Sequence, residues 1–165
     1  MKPPDTFDFA EGMLRAHRAA APTIRPATTE EIEAVARLHR LVRTACLPYL
    51  PQLHTPEEDL RFFRECVFPT RSVWVGGGLR LGGYCAFCEG WVDHLYVDPA
   101  AHGQGLGSTL LNQALAGQSH VRLWVFQKNV KAIQFYVRRG FRLVEMTDGR
   151  GNEEGEPDAL YEWRR

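Results

Sequence analysis

The stretch from Trp91 to Leu111 (WVDHLYVDPAAHGQGLGSTLL) constrains this chain more than any other. A strand-like run breaks at Asp98-Pro99, passes glycines at 103, 105 and 107, and continues as the apolar-periodic start of a helix. Glycines in that setting let the backbone take turn conformations closed to other residues and let a ligand approach the main chain. A helix N-terminus at the same point presents free N–H groups and a partial positive charge. The order strand, glycine loop, helix therefore predicts an anion site, for a phosphate or pyrophosphate.

Context separates three kinds of phosphate-binding glycine loop. A Walker loop closes on Gly-Lys-Ser/Thr, whereas this one closes on Gly107-Ser108 with no lysine. A dinucleotide fingerprint, which Gly103-Gln104-Gly105-Leu106-Gly107-Ser108 nearly fits, needs an acidic residue about 20 positions on. The segment from Leu123 to Lys128 holds no acid. The third kind is the acyl-CoA loop. Here Val97-Asp98-Pro99, followed by His102-Gly103-Gln104-Gly105-Leu106-Gly107, resembles the loop of the GNAT superfamily of acetyl-CoA-dependent N-acetyltransferases. That pattern is Gln/Arg-x-x-Gly-x-Gly/Ala after a strand ending in Val-x-Pro, and His102 stands where the Gln or Arg usually does. The superfamily pattern Asn-x-x-Ala-x-x-Phe-Tyr-x-x-x-Gly-Phe is matched at every specified position by Asn129, Ala132, Phe135, Tyr136, Gly140 and Phe141. The two motifs stand in the right order, and the resemblance spans roughly residues 23–163.

This resemblance implies an α+β domain with a single-domain GNAT-like fold: a mixed, mostly antiparallel sheet of six to seven strands flanked by about four helices. It implies acetyl-CoA as donor, with the loop residues His102, Gly103, Gln104, Gly105, Leu106, Gly107 and Ser108 around the pyrophosphate. Asn129, Ala132 and Phe135 would border the donor. Pantetheine would add like a strand along Leu95, Tyr96 and Val97, where the central strand and the next one splay apart. Tyr136 would be the general acid for the departing thiolate. Tyr49 and His54, in the first helical region, would border the acceptor.

An alkylamine acceptor is almost wholly protonated at pH 7, so a base, a water chain or a pocket that lowers its pKa is needed. Asp93, just before the loop, is the first candidate base. His94 is next and Glu89, also a candidate acceptor contact, third. Adjacent strand residues face opposite ways, so Asp93 and His94 share one site only if a bulge intervenes. The expected reaction is direct transfer to a primary amine in a ternary complex, the amine being a small molecule or a protein. The alternative is a non-catalytic acyl-CoA-binding sensor or regulatory module.

Twenty basic residues against twenty acidic give zero formal charge and no long-range field to gather nucleic acid or an anionic membrane. No signal-like segment or long apolar run is present, so a cytoplasmic protein is expected, as a monomer or a homodimer. Cys85-Ala-Phe-Cys88 invites a metal reading, but residues three apart on a strand face opposite ways and no second C-x-x-C or paired histidines follow. All four cysteines are expected to be buried small hydrophobes, with no metal.

Residues 1–22 read as an N-terminal extension, mobile or with a short helix over Met13 to Ala20, before an acetyltransferase domain over residues 23–165. Thr23 to Pro26 reads as a strand. A capping box at Thr28-x-x-Glu31 opens an amphipathic helix to about Ala45, and Thr55-Pro56-Glu57-Glu58 opens another. Val73 to Val75 and Leu81 to Glu89 form a hairpin around Gly76-Gly77-Gly78, with Arg71 and Arg80 as unremarkable flanks. After the glycine-loop helix come a buried strand over Val121 to Phe126, a helix over Val130 to Arg139, and a strand over Phe141 to Glu145. A loop over Asp148 to Asp158 leads to a strand, Leu160 to Trp163, that closes the sheet.

Overall fold

The computed structural model describes residues 22–165, and the expected N-terminal extension lies outside them apart from Pro22. Strand β1 covers Ile24–Pro26. A 3-10 turn at Thr29–Glu31 then feeds α1, Ile32–Cys46. The Thr28 N–H donates to Glu31 Oε2 at 3.0 Å, satisfying a donor that the helix start would leave unpaired. Pro48 and Pro51 follow, and the chain runs irregularly to Thr55, which caps α2 (Pro56–Phe62) by accepting from the Glu58 N–H at 3.2 Å. That helix widens into a π turn at Phe63–Val67 and ends with Phe68–Thr70.

The remaining elements are β2 (Ser72–Gly77), β3 (Leu81–Cys88), β4 (Trp91–Val97), α3 (Leu106–Leu115), β5 (His120–Phe126), α4 (Val130–Val137), β6 (Arg142–Met146) and β7 (Asp158–Arg164). None of the described helices is long and apolar enough to cross a membrane. The seven strands form one sheet in the order β1-β2-β3-β4-β5-β7-β6, as expected for strand number and mixed pairing. Two sequence expectations are corrected. The last strand does not close the sheet: β7 pairs with β5 over seven residues and with β6 on its other side, leaving β6 as the edge. The turn of the first hairpin is also shifted, because Gly76 and Gly77 belong to β2.

Gly76 has a packing reason to be glycine. A Cβ there would stand 2.5 Å from the Leu106 side chain, and Cβ atoms on Gly82 and Gly83 would come within 3.2 Å of it. These three glycines form a socket for the first residue of α3, which draws the helix N-terminus down onto the sheet. Leu106 is buried there, and burying a leucine contributes roughly 1.5–3 kcal/mol.

One junction of the sheet is incomplete. β4 and β5 run parallel and share a single residue pair, Trp91 with Arg122, beside the bond from the Arg122 N–H to the Gly90 carbonyl at 2.8 Å. Beyond it the strands part. β4 also carries a bulge: Ala86 faces His94 but Phe87 faces Val92, so Asp93 is the extra residue.

Strand alternation divides the interior into two cores. Cys85, Val92, Leu110, Leu111, Leu123 and Phe141 lie on the face covered by α3 and α4, while Val35, Phe63, Val75, Tyr84 and Ala86 lie under α1 and α2. The expectation for cysteine holds for Cys85, which is fully buried, and is corrected for Cys46 and Cys66, which are exposed. Cys46 ends α1, and Cys66 lies on the outer side of the π turn. In the second core the Tyr84 hydroxyl and His39 Nδ1 share a hydrogen bond of 2.7 Å. Removing it with Tyr84→Phe leaves a buried imidazole nitrogen unpaired, a loss of about 1–3 kcal/mol. Urea unfolding should show that loss as a lower midpoint at unchanged slope.

Candidate active site

The parting of β4 from β5 opens a cleft of about 1600 Å³. Register fixes which backbone groups face it. The Asp98 N–H bonds to the Gly82 carbonyl at 2.8 Å, so in an antiparallel ladder the amide groups of Tyr96 turn toward β3 and those of Leu95 and Val97 toward the gap. His102 Nε2 donates to the Val97 carbonyl at 2.9 Å. The Leu95 N–H and carbonyl and the Val97 N–H thus remain for a partner in the gap.

The glycine loop meets the same cleft. Gly103 and Gly105 have φ of 76° and 85°, in the left-handed region that favours glycine. Gly105 is the N-cap of α3 and offers no side chain, so the first-turn N–H groups of Leu106, Gly107 and Ser108 are uncapped. The Arg139 guanidinium lies 3.6 Å from the Phe135 ring centre, donates to the Phe135 carbonyl at 2.8 Å and also to Ser108 Oγ. Among the described residues it has no acidic partner. A cation beside the positive end of a helix is a repulsive pairing, relieved by an anion between them.

Tyr136 lines the cleft from α4, in edge contact with Phe135 and Phe141 at 5.3 and 5.5 Å. Burial pushes its hydroxyl well above the usual tyrosine range, so it stays protonated at neutral pH.

A second cleft of about 610 Å³ adjoins the first. Asp93, Tyr96, Trp124 and Glu154 line both and mark the junction. The bulge resolves the facing problem, since Asp93 and His94 both reach this second cleft. Arg71, which the sequence left without a role, grips Asp93 through both oxygens at 2.7 and 3.2 Å. His94 packs against His39 and Phe63 at 5.4 and 5.9 Å. Burial lowers His39 to about 2 and His94 to about 4, so both are neutral at pH 7. Burial raises the Tyr96 hydroxyl, and the Arg43 guanidinium offsets part of that.

The remaining candidates divide. His54 reaches the second cleft and bridges to Glu153 at 3.0 Å. Tyr49 lines neither cleft; its ring lies under Lys128 Nζ at 5.5 Å and its buried hydroxyl lacks a partner among the described residues. Glu89 is exposed in the β3–β4 turn, at the end of β4 away from the glycine loop, and lines neither cleft. Gln104 folds back onto the Ala100 carbonyl at 3.1 Å, outside the clefts. Asn129 and Ala132 line the first cleft, where Asn129 Oδ1 caps α4 by accepting the Ala132 N–H at 3.2 Å. His39, Arg40, Arg43 and Arg139 were missed. The three on α1 were read only as an amphipathic face, and nothing in their spacing names the loop they meet.

Known proteins similar to this chain in sequence and fold are acetyltransferases. The family model of the acetyltransferase (GNAT) domain matches residues 69–143, which hold both motifs. The peptidyl-lysine N-acetyltransferase YiaC of Escherichia coli K12 is 28% identical over 132 residues, covering 74% of this chain and 84% of the relative. The fold matches the solution structure of apo YjaB from Escherichia coli with a TM-score of 0.72 and 21% identity, over 87% of this chain and 97% of that one. It also matches yncA of Salmonella typhimurium, solved with acetyl-CoA, with a TM-score of 0.66 and 20% identity over 88% and 94%.

Two measurements check this site. An aspartate at Gly105 adopts the left-handed conformation poorly and sets a carboxylate at the helix N-terminus, so Gly105→Asp should weaken acetyl-CoA binding by at least about tenfold. Unchanged affinity would refute the loop's role. His39 and His94 bind protons in the unfolded chain near pH 6.5 and in the folded one only near 2 and 4. Unfolding therefore takes up protons below pH 6.5, and stability falls on acidification by up to about 1.4 kcal/mol per pH unit for each histidine. Glu153 raises the pKa of exposed His54, which acts weakly the other way. The urea midpoint should drop between pH 7 and 5, less steeply in His94→Gln.

Proposed function

This chain belongs to the GNAT superfamily of acetyl-CoA-dependent N-acetyltransferases, and we propose that it transfers the acetyl group directly to a primary amine held in the second cleft. The observation that carries this reading is the meeting of the two clefts at Asp93, beside a β4 edge whose backbone groups lack a strand partner. Pantetheine would bond to the Leu95 N–H and carbonyl and the Val97 N–H as an added strand. The first-turn amides of α3 would hold the pyrophosphate, with Arg139 as the nearby cation. A free N–H of β4 would stabilise the oxyanion formed when the amine attacks the thioester carbonyl.

Asp93 is the base of choice, directly or through water, because it stands at the junction while His94 lines only the acceptor side. His94 is held neutral at pH 7 and stands back from the junction, within the second cleft. The protonated Tyr136 hydroxyl supplies the proton to the leaving CoA thiolate. The exposed thiols of Cys46 and Cys66 suit a reducing, cytoplasmic compartment.

The peptidyl-lysine activity in the relative's name makes a protein acceptor the second reading. The walls of the cleft favour a small amine. The loop after α1 and the loop before β7 are tied by His54–Glu153 at 3.0 Å, and Arg43 of α1 reaches Glu154 at 2.9 Å. Amine-dependent release of free CoA from acetyl-CoA tests the transfer. In that assay Tyr136→Phe should lower kcat by about 10² with acetyl-CoA affinity nearly unchanged. A full-rate variant would remove Tyr136 from the mechanism.

A further inference from the structure

The second cleft is lined by Leu53 from the loop after α1, Phe62 from α2 and Trp124 from β5. These three side chains, large and apolar, remain 45%, 45% and 46% exposed. A single exposed hydrophobe needs no explanation, but three from separate elements converging on one concavity mark a surface that a ligand covers. We infer that this cleft takes a primary amine carried on an apolar body of aromatic size, an arylalkylamine, in preference to a polyamine or an aminoglycoside. The inference rests on the acetyl-transfer reading and adds the class of acceptor to it.

The charges around the cleft are already committed. Arg40 pairs with Asp59 at 2.6 Å, Arg43 with Glu154 at 2.9 Å, and His54 with Glu153 at 3.0 Å. Asp93 is held by Arg71, and the Glu58 carboxylate accepts the Thr55 N–H at 2.8 Å. A polycation entering here loses hydration at several ammonium groups, and each acid it meets must first leave its own partner. An arylalkylamine brings one amine to the Asp93 junction and lays its ring between Phe62 and Trp124. Apart from Asp93, the floor toward β4 is aromatic and uncharged, with Tyr96 stacked on Tyr84 and both His39 and His94 neutral at pH 7. A volume of about 610 Å³ admits one or two fused rings with a short alkyl arm.

The test is CoA release from acetyl-CoA with the full chain and five probes: phenethylamine, tryptamine, spermidine, kanamycin and a short lysine peptide. The expected kcat/KM for the two arylalkylamines is at least about tenfold above that for the other three, the scale on which an apolar pocket discriminates. Phe62→Ser should raise KM for phenethylamine several-fold with the acetyl-CoA dissociation constant unchanged. Faster turnover of spermidine, kanamycin or the peptide overturns the acceptor class and leaves the transferase standing. Unaltered KM in Phe62→Ser overturns the placement of the ring. Bound acetyl-CoA with no release by any amine overturns the transfer reading and this inference with it.

Discussion

β4 ends without a neighbour on one side, and the architecture of the site follows from that. Backbone N–H and C=O groups away from water need partners, and the parallel junction supplies one residue pair before β5 turns away. Every other junction of the sheet is an antiparallel ladder. The gap therefore exposes a short row of aligned donors and acceptors between two apolar cores. His102 covers one of them, the Val97 carbonyl, and leaves the rest as a template for a strand-like ligand. The glycine socket around Leu106 completes the arrangement by bringing the uncapped helix N-terminus to the end of that row.

The bulge at Asp93 does for the other end of β4 what the gap does for its edge. In a regular strand Asp93 and His94 would be sent to opposite faces. With one extra residue they open onto the same cleft, Asp93 tied outward by Arg71 and His94 set into the aromatic cluster. The two ionisable residues then differ in environment: one is salt-bridged near the surface, the other desolvated and neutral. Burying His39 and His94 costs acid stability and supplies a floor without charge beside the place where the clefts meet.

Strand order of residue types made much of this legible. The glycine loop, the Asn129-to-Phe141 motif and the caps at Thr28 and Thr55 are local signals, and the elements they predict are present within a few residues. The place of β7 was not legible, because pairing between β5 and β6 is a choice among edges that no local pattern records. Gly76 read as a turn residue because its reason for being glycine, the Leu106 side chain, lies 30 positions away. The ion pairs that wall the second cleft link residues such as Arg43 and Glu154, separated by 111 positions. Periodicity can assign Arg43 to a polar helix face, but only the folded chain says what that face meets.

The same distance argument accounts for the positive charge beside a loop that carries no long cationic side chain of its own. His102 lends its ring to the strand, so side-chain charge at the glycine loop has to come from elsewhere in the chain. Arg139 brings it from just beyond the end of α4, fixed by the Phe135 ring beneath it and by Ser108 beside it. The Phe135-Tyr136 pair therefore serves two parts of the first cleft from one turn of helix: Phe135 supports the cation beside the loop, and Tyr136 faces the gap where β4 and β5 part. With zero net charge over the whole chain, the positive potential at the loop is local, built from amides and one guanidinium set against a surface that is otherwise balanced.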